Sequence, residues 1–469
     1  MNRSCSRAVP HPARACALRA VAALAAVATF APSALAAAPA TSLAAASAAR
    51  AGISAGDTAW MLVCTALVLL MTIPGLALFY AGMVRKKNVL ATMMQSFSIC
   101  ALISVVWMVV GYSLAFTDGN AVIGGLGRVF LNGIGTGWDQ AFTLGAGSAH
   151  PLPMRIPESV FIMFQMAFAV ITPAVVTGAF ADRMKFSALM LFMTLWSLLV
   201  YAPIAHWVWG ATGWLNTMGV ADFAGGTVVE INAGVAGLIC ALVLGRRLGF
   251  GTENMAPWNL AYAVTGGGLL WVGWLGFNSG GALGANGRAG MAVLATQMAA
   301  AGATMAWSGA EWLRHGKPSV LGAISGAVAG LVAITPAAGF VLPGPALGIG
   351  VVAGVVCFYM VTEIKPRLGY DDSLDAFGVH GIGGIVGMLL TGVFAFGPLT
   401  ATAARPLGAY VGGLHLLRVQ AIAVAATLAY SGAATWVALK ITDLVVGLRV
   451  TREEEREGLD VVLHGEQVF

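Results

Sequence analysis

Two segments 150 residues apart carry ionisable groups in the same register: DFAGGTVVEINAGVAGL from Asp222 and DSLDAFGVHGIGGIVGM from Asp372. In each, an acid precedes a second ionisable residue by eight positions, Glu230 in one copy and His380 in the other. Glycines follow four and seven residues later, at Gly234 and Gly237 and at Gly384 and Gly387. A carboxylate and an imidazole, with ordinary pKa values of about 4 and about 6.5, share one chemistry, the transfer of protons. Glu230 is the one charged residue of Val228–Leu238, a stretch that otherwise reads as a helix in lipid, where a central charge costs on the order of 3 kcal/mol. Such a group reads as functional by default, and the plainer alternative is a buried pair that locks two helices together.

The elements that must position these groups are membrane spans. Of 469 residues, 58% are hydrophobic and only 10% charged, with 61 glycines, whereas ordinary soluble domains carry about 25% charged residues. Apolar stretches long enough to cross a ~30 Å core at about 1.5 Å per residue recur near 58–83, 90–116, 157–181, 186–208, 226–245, 258–280, 289–312, 318–336, 345–364, 376–396 and 418–446. The reading is an all-α membrane protein of eleven transmembrane helices. The net charge of +5 carries no argument for nucleic acid, since no basic stripe accompanies it and its placement along the chain matters more than its sum.

That placement orients the spans, because cytoplasmic loops carry the Lys/Arg excess. With the start outside, the inside segments hold Arg85, Lys86 and Lys87, then Arg183 and Lys185, Arg246 and Arg247, Arg314 and Lys317, Lys365 and Arg367, and finally Lys440, Arg449, Arg452 and Arg456. The outside segments hold only six: Arg50, Arg128, Arg155, Arg288, Arg405 and Arg418. The C-terminus is therefore placed in the cytoplasm. Residues 1–36 read as a cleaved signal, with Arg14 and Arg19 before the apolar run Val21–Phe30 and the small-residue site Ala34-Leu35-Ala36. An extracytoplasmic tail follows over 37–56, the helical domain over 57–446 and a cytoplasmic tail over 447–469. Cys64, Cys100, Cys240 and Cys357 lie singly in apolar runs and read as packing residues.

A second echo, VITPA at Val170–Ala174 and AITPA at Ala333–Ala337, relates the third span to the eighth, as the first relates the fifth to the tenth. An offset of five helices turns the second copy upside down, giving an inverted five-plus-five repeat with an extra C-terminal helix, the organisation of transport folds that bind near the midplane. Glu230 and His380 then lie roughly 12 Å from opposite faces of a ~30 Å core. They are predicted to face one another, with the glycines allowing close backbone approach.

Ile73–Asn88 (IPGLALFYAGMVRKKN), Asp222–Asn232, Trp274–Asn278 (WLGFN), Asp375–Gly381 (DAFGVHG) and Leu444–Gly458 (LVVGLRVTREEEREG) resemble the ammonium transporter and Rhesus-protein family over nearly the whole mature chain. The resemblance implies a homotrimer with one pore per subunit in a bacterial inner membrane, moving ammonium or ammonia and accepting methylammonium as an analogue. It implies an outer aromatic cage at Trp209, which on residue type alone reads as an interfacial tryptophan. It implies a gate of stacked Phe168 and Phe277, with Phe168 also facing the cage, and a further lining residue at Trp274. Asp222 matches an acid that supports the cation site, and its place at a helix start suits a cap equally. The pattern departs at two positions. Most members carry a histidine pair where this chain has Glu230 and His380, an arrangement similar to that of some fungal permeases. The vestibule serine corresponds to Gly281, leaving Ser279 or water as the substitute acceptor.

The acidic C-terminal segment reads as a solvated helix and resembles the family's docking segment for trimeric nitrogen-regulatory proteins of the P-II type. The competing function is an ammonium sensor with little flux. An enzyme is disfavoured: no nucleophile–base pair, phosphate loop, cofactor motif or metal-spaced cluster stands in the inside loops, and His206 and Glu311 stand alone.

Overall fold

The computed structural model describes residues 52–148, 151–400 and 412–468. The signal segment expected at 1–36, most of the 37–56 tail and the loop containing Arg405 lie outside the described residues. Eleven apolar helices make up the described chain: α1 Ala55–Met83, α2 Lys86–Phe116, α3 Glu158–Phe180, α4 Phe186–Met218, α5 Gly226–Leu244, α6 Leu260–Gly280, α7 Gly287–His315, α8 Val320–Ile334, α9 Pro343–Leu368, α10 Phe377–Phe394 and α11 Leu414–Val446. Ten are long enough to cross a membrane, and α8, at 15 residues, is shorter than its 318–336 apolar run.

The repeated ITP motif explains that difference. In α3 the helix continues through Pro173. Thr172 back-bonds to the Phe168 carbonyl at 2.6 Å, one residue before the Ala169 carbonyl, whose i+4 amide Pro173 removes. In α8 the equivalent Thr335 back-bonds to Leu331 O at 2.8 Å, but the chain leaves the helix at Thr335-Pro336. The freed Pro336 carbonyl accepts the Phe223 N–H at 3.1 Å. One motif thus bridges a helix in one half and ends it in the other, and the ending ties α8 to the start of α5.

Helices α3 and α5 form the centre. Of their most apolar stretches 89% and 78% are buried, against 39% for α9 and α11, which face outward. Polar caps start several spans: Asn259 accepts from Tyr262 N at 3.2 Å, Asn286 from Arg288 N at 3.0 Å and Ser319 from Gly322 N at 2.9 Å, each satisfying an orphan amide.

The face bearing the basic loops is held by buried ion pairs. Arg247 grips Asp371 at 2.8 Å, and Asp182 takes Arg85 at 3.0 Å and Arg247 at 3.8 Å. Burial pushes the Asp371 carboxyl up, but the Arg247 guanidinium outweighs it and holds the group below the usual carboxylate range. The C-terminal segment is docked here rather than solvated along its length. A short helix, α12 (Arg452–Glu457), opens on a capping box of Thr451 and Glu454. Glu455, 1% exposed, accepts from Leu248 N at 2.7 Å and Arg449 at 2.8 Å. Arg449 also donates to the Leu244 and Arg246 carbonyls, closing the end of α5, and Asp460 accepts from Ala91 N at the start of α2. A charge-run reading misses this because Glu453 and Glu457 are exposed while Glu454 and Glu455 between them accept from backbone amides.

Candidate functional site

Asp222 precedes α5, and its carboxylate is spent on that helix start. Oδ1 accepts from Gly225 N and Gly226 N at 2.8 and 2.6 Å, and Oδ2 from Thr227 N at 2.7 Å and from the Thr227 hydroxyl. Burial pushes the carboxyl up, while the Thr227 and glycine donors pull the other way. The Asp222 carbonyl accepts the Trp209 indole N–H at 3.0 Å, which fixes the ring. Asp372 does the corresponding work for α10, accepting from Ala376 N at 3.1 Å and Phe377 N at 2.8 Å.

On the Asp222 side a cavity of about 730 Å³ opens, walled by Phe116, Phe161, Phe164, Phe168, Trp209 and Gly281 among others. Its floor is aromatic. The Trp209 and Phe168 rings meet edge to face at 5.7 Å, and Phe168 stacks on Phe277 at 4.2 Å with planes tilted by 33°. Trp274 follows at 5.4 Å from Phe277, its indole N–H donating to Thr335 Oγ1 at 2.8 Å. Phe168 and Phe277 are each 1% exposed, so the stack is a closed plug. Beyond it lies a gap of about 10 Å³, lined by Phe277, Trp274, Val229, Glu230 and His380, about the space of a single water.

Glu230 and His380 meet in that gap. His380 Nδ1 lies 2.7 Å from Glu230 Oε2, with the side chains 7% and 1% exposed, and Glu230 Oε1 has no partner. Both residues sit on π-helical turns, Gly226–Ile231 and Phe377–Gly381, local widenings that recur at functional sites. The glycines permit the approach. A Cβ on Gly234 would lie 2.2 Å from Gly381 N, and one on Gly384 would lie 3.0 Å from the Glu230 Cβ. Gly237 faces Ala179 and Ala376, whereas Gly387 faces Ala333 of α8 rather than α5.

The remaining sequence candidates separate cleanly. Ser279 does not serve the cavity: it is fully buried and donates to Leu275 O in its own helix at 2.6 Å. Gly281 does line the cavity, and a Cβ there would meet Phe223 O at 2.6 Å, so the main chain has closed over the place of a side chain. His206 is buried between the Ala115 and Asn120 carbonyls at 3.0 and 2.8 Å, and Glu311 caps Ser319. Two residues of the wall escaped the sequence reading. Phe164 lies 4.9 Å from Phe168, a helical i, i+4 pair in FIMFQMAF that aromatic spacing signals. Gln165, 7% exposed, lines the same cavity and is the polar break in that apolar run.

Comparison with known proteins gives a consistent result. The model of the Ammonium Transporter Family matches residues 59–469. The chain is 50% identical to the ammonium transporter of Bacillus subtilis over 414 residues, 88% of this chain and 98% of that one. It is 48% identical to the ammonium transporter of Aquifex aeolicus over 423 residues, 90% and 95% of the two chains. Among solved structures, Mep2 of Saccharomyces cerevisiae superposes with a TM-score of 0.75 at 36% identity, covering 85% of this chain and 91% of that one. A protein described as a sensor Amt protein superposes with a TM-score of 0.77 at 28% identity, covering 87% and 98%.

Proposed function

The chain belongs to the ammonium transporter family, a multi-pass membrane protein with ammonium as substrate, and on that premise we propose that it takes up ammonium by stripping one proton and conducting ammonia past the Phe168–Phe277 plug. Ammonium gathers in the wide cavity against Trp209 and Phe168, where cation–π attraction of roughly 0.5–2 kcal/mol concentrates the ion without trapping it. A closed aromatic plug disfavours passage of an ion and admits a neutral molecule. Ammonium can meet that condition by giving up a proton, and potassium, of similar size and charge, has none to give. The proton leaves through Glu230 and His380, whose carboxylate and imidazole are within direct hydrogen-bond reach. A carboxylate in place of an imidazole adds negative charge to the pore, so this chain moves net charge and has a different pH preference from a two-histidine form.

The observation that carries this reading is the 2.7 Å contact between Glu230 and His380 directly beneath the plug. The test is ammonium-jump current in proteoliposomes, compared across wild type, Glu230→His, Glu230→Gln and His380→Ala. Loss of current in Glu230→Gln with retention of ammonia accumulation supports the relay. Silent wild-type membranes that still accumulate ammonia would refute its electrogenic form, and unaltered transport in Glu230→Ala would remove the residue.

The basic face reads as cytoplasmic, the mature N-terminus as extracytoplasmic after loss of residues 1–36, and the assembly as a homotrimer in the inner membrane. The 447–469 segment reads as the contact for a P-II-type partner. The second reading, an ammonium sensor, is favoured by the likeness to the sensor Amt protein. Uptake by a protein truncated before Thr451 separates the two: a transporter loses or changes flux, whereas a sensor shows little flux with or without the segment.

A further inference from the structure

The π-helical turn that carries Glu230 is held at both ends by α11, the helix outside the repeat. Gln420 accepts from Ala221 N at 3.0 Å and donates to Ala221 O at 2.7 Å, and Ser431 donates to Asn232 O at 3.1 Å. Gln420, Ser431 and Asn232 are fully buried. With its ends pinned, the segment between Ala221 and Asn232 holds a fixed number of residues, and the place where the helix widens decides which way Glu230 points. In an α-helix the Asn232 N–H would go to the carbonyl four residues back, Val228 O. Here it passes that carbonyl and reaches Thr227 O and Val229 O. Val228 O instead accepts from the Asn232 side chain, with Nδ2 at 3.2 Å. Asn232 thus withdraws a backbone donor from Val228 and returns a side-chain donor. Its Oδ1 has no partner, and the flipped amide would set that oxygen against the Val228 carbonyl, so one orientation alone makes the bond. The turn beneath His380 shows the same skip 150 residues on: the Ile382 N–H passes Gly378 O for Phe377 O and Val379 O. Ile382, however, brings no side-chain donor.

We propose that Asn232 is a positioning residue of the relay: its carboxamide stands in for the missing amide at Val228 O, keeps the wide turn beneath Glu230, and makes Glu230 the fixed partner to which His380 adjusts. This rests on the reading that Glu230 and His380 relay the proton, and adds to it what holds the carboxylate in place. The donor matters and the volume does not. Without it Val228 O is a buried acceptor short of a partner, and the widening is free to settle at another carbonyl, turning Glu230 away from the imidazole. Asn232 lines neither the wide cavity nor the gap below the plug, so it governs passage and not capture.

The test is the concentration dependence of ammonium-jump currents in proteoliposomes of wild type, Asn232→Leu, Asn232→Val and Asn232→Thr, with circular dichroism as the folding control. Leucine keeps the branched outline of asparagine and lacks the donor. Threonine differs in outline, but its hydroxyl back-bonds to the carbonyl four residues before it, as Thr172 and Thr335 do in this chain, and that carbonyl is Val228 O. Asn232→Leu and Asn232→Val lower the maximal current roughly tenfold, the scale of a buried acceptor left without its donor, and leave the half-saturating ammonium concentration within about twofold. Asn232→Thr returns the maximal current to within about threefold of wild type. A role in packing alone predicts the reverse order, with leucine tolerated best and threonine no better than valine. Should Asn232→Leu fail to fold, the equal-sized Thr and Val variants make the same comparison. Wild-type maximal current in the apolar variants, or equal damage in Asn232→Thr and Asn232→Val, would overturn the proposal while leaving the relay intact. Unaltered transport in Glu230→Ala would instead remove the relay and this proposal with it.

Discussion

Gly234→Ala tests the link between backbone packing and proton transfer. The added Cβ would stand 2.2 Å from Gly381 N and 2.4 Å from Gly381 Cα. These are main-chain atoms of α10, so no rotamer change relieves the clash. Ordinary contact begins near 3.4 Å, so α5 and α10 must part by about 1.2 Å, a strain typical of overpacking at about 1–3 kcal/mol. Taken along the pair, that movement stretches the 2.7 Å Glu230–His380 contact to about 3.9 Å, beyond hydrogen-bond range. A displacement of about 1 Å at a reacting centre lowers rates on the order of a hundredfold, and that is the expected fall in ammonium-jump current. The measurement is current per reconstituted protein, with helical content by circular dichroism as the folding control. A folded Gly234→Ala protein with wild-type current would refute the claim that this close approach sets the relay.

Gly281→Ser is expected to be destabilised by about 1–3 kcal/mol because its Cβ would press on the Phe223 carbonyl; thermal unfolding would show the loss, with no gain in ammonium affinity. Trp209→Leu should raise half-saturation about 2- to 30-fold, the range given by loss of about 0.5–2 kcal/mol of cation–π attraction, with maximal current retained. The docked C-terminal segment should loosen in mild acid. Burial lowers the pKa of His464, against the opposing charges of Asp460 and Glu466, so its stabilising contribution is present above about 6.5 and is lost as pH falls through the depressed value. Burial raises that of Asp460, whose stabilising contribution is full only below about 3.9 and fades as pH rises through the raised value. Measured against the intrinsic amide rates, which themselves slow toward acid, protection across 452–464 should fall more between pH 7 and pH 5 in wild type than in His464→Gln, the Asp460 contribution opposing the loss in both.

The meeting of Glu230 and His380 was legible because a repeat of known offset carries its own geometry: equal depths from opposite faces leave the two groups level. The glycines at +4 were legible for the same reason. Those at +7 were only partly so, because the helices cross, and one turn beyond the crossing Gly387 already faces α8. The eleven spans follow from hydropathy, but the early end of α8 depends on where the Pro336 carbonyl finds a donor, a tertiary matter. Ser279 was a fair sequence candidate, yet its hydroxyl is taken by its own helix. Gln165 was overlooked because a single amide in an apolar run gains meaning only when its neighbours are known. The docking of Glu455 and Asp460 depends on backbone donors distant in sequence, to which a charge run gives no clue.

The π-helical turns beneath Glu230 and His380 have an evolutionary corollary. Each such turn is equivalent to one surplus residue accommodated without breaking the helix, and each residue advances a helix by about 100°. Removing a single residue from 226–231 would leave α5 intact in length and hydrophobicity, yet swing its carboxylate toward a different neighbour. The alignment of the pair is thus set like a vernier, by indels as well as by substitutions, and relatives that match at every motif can still differ in pore chemistry by one residue of phase.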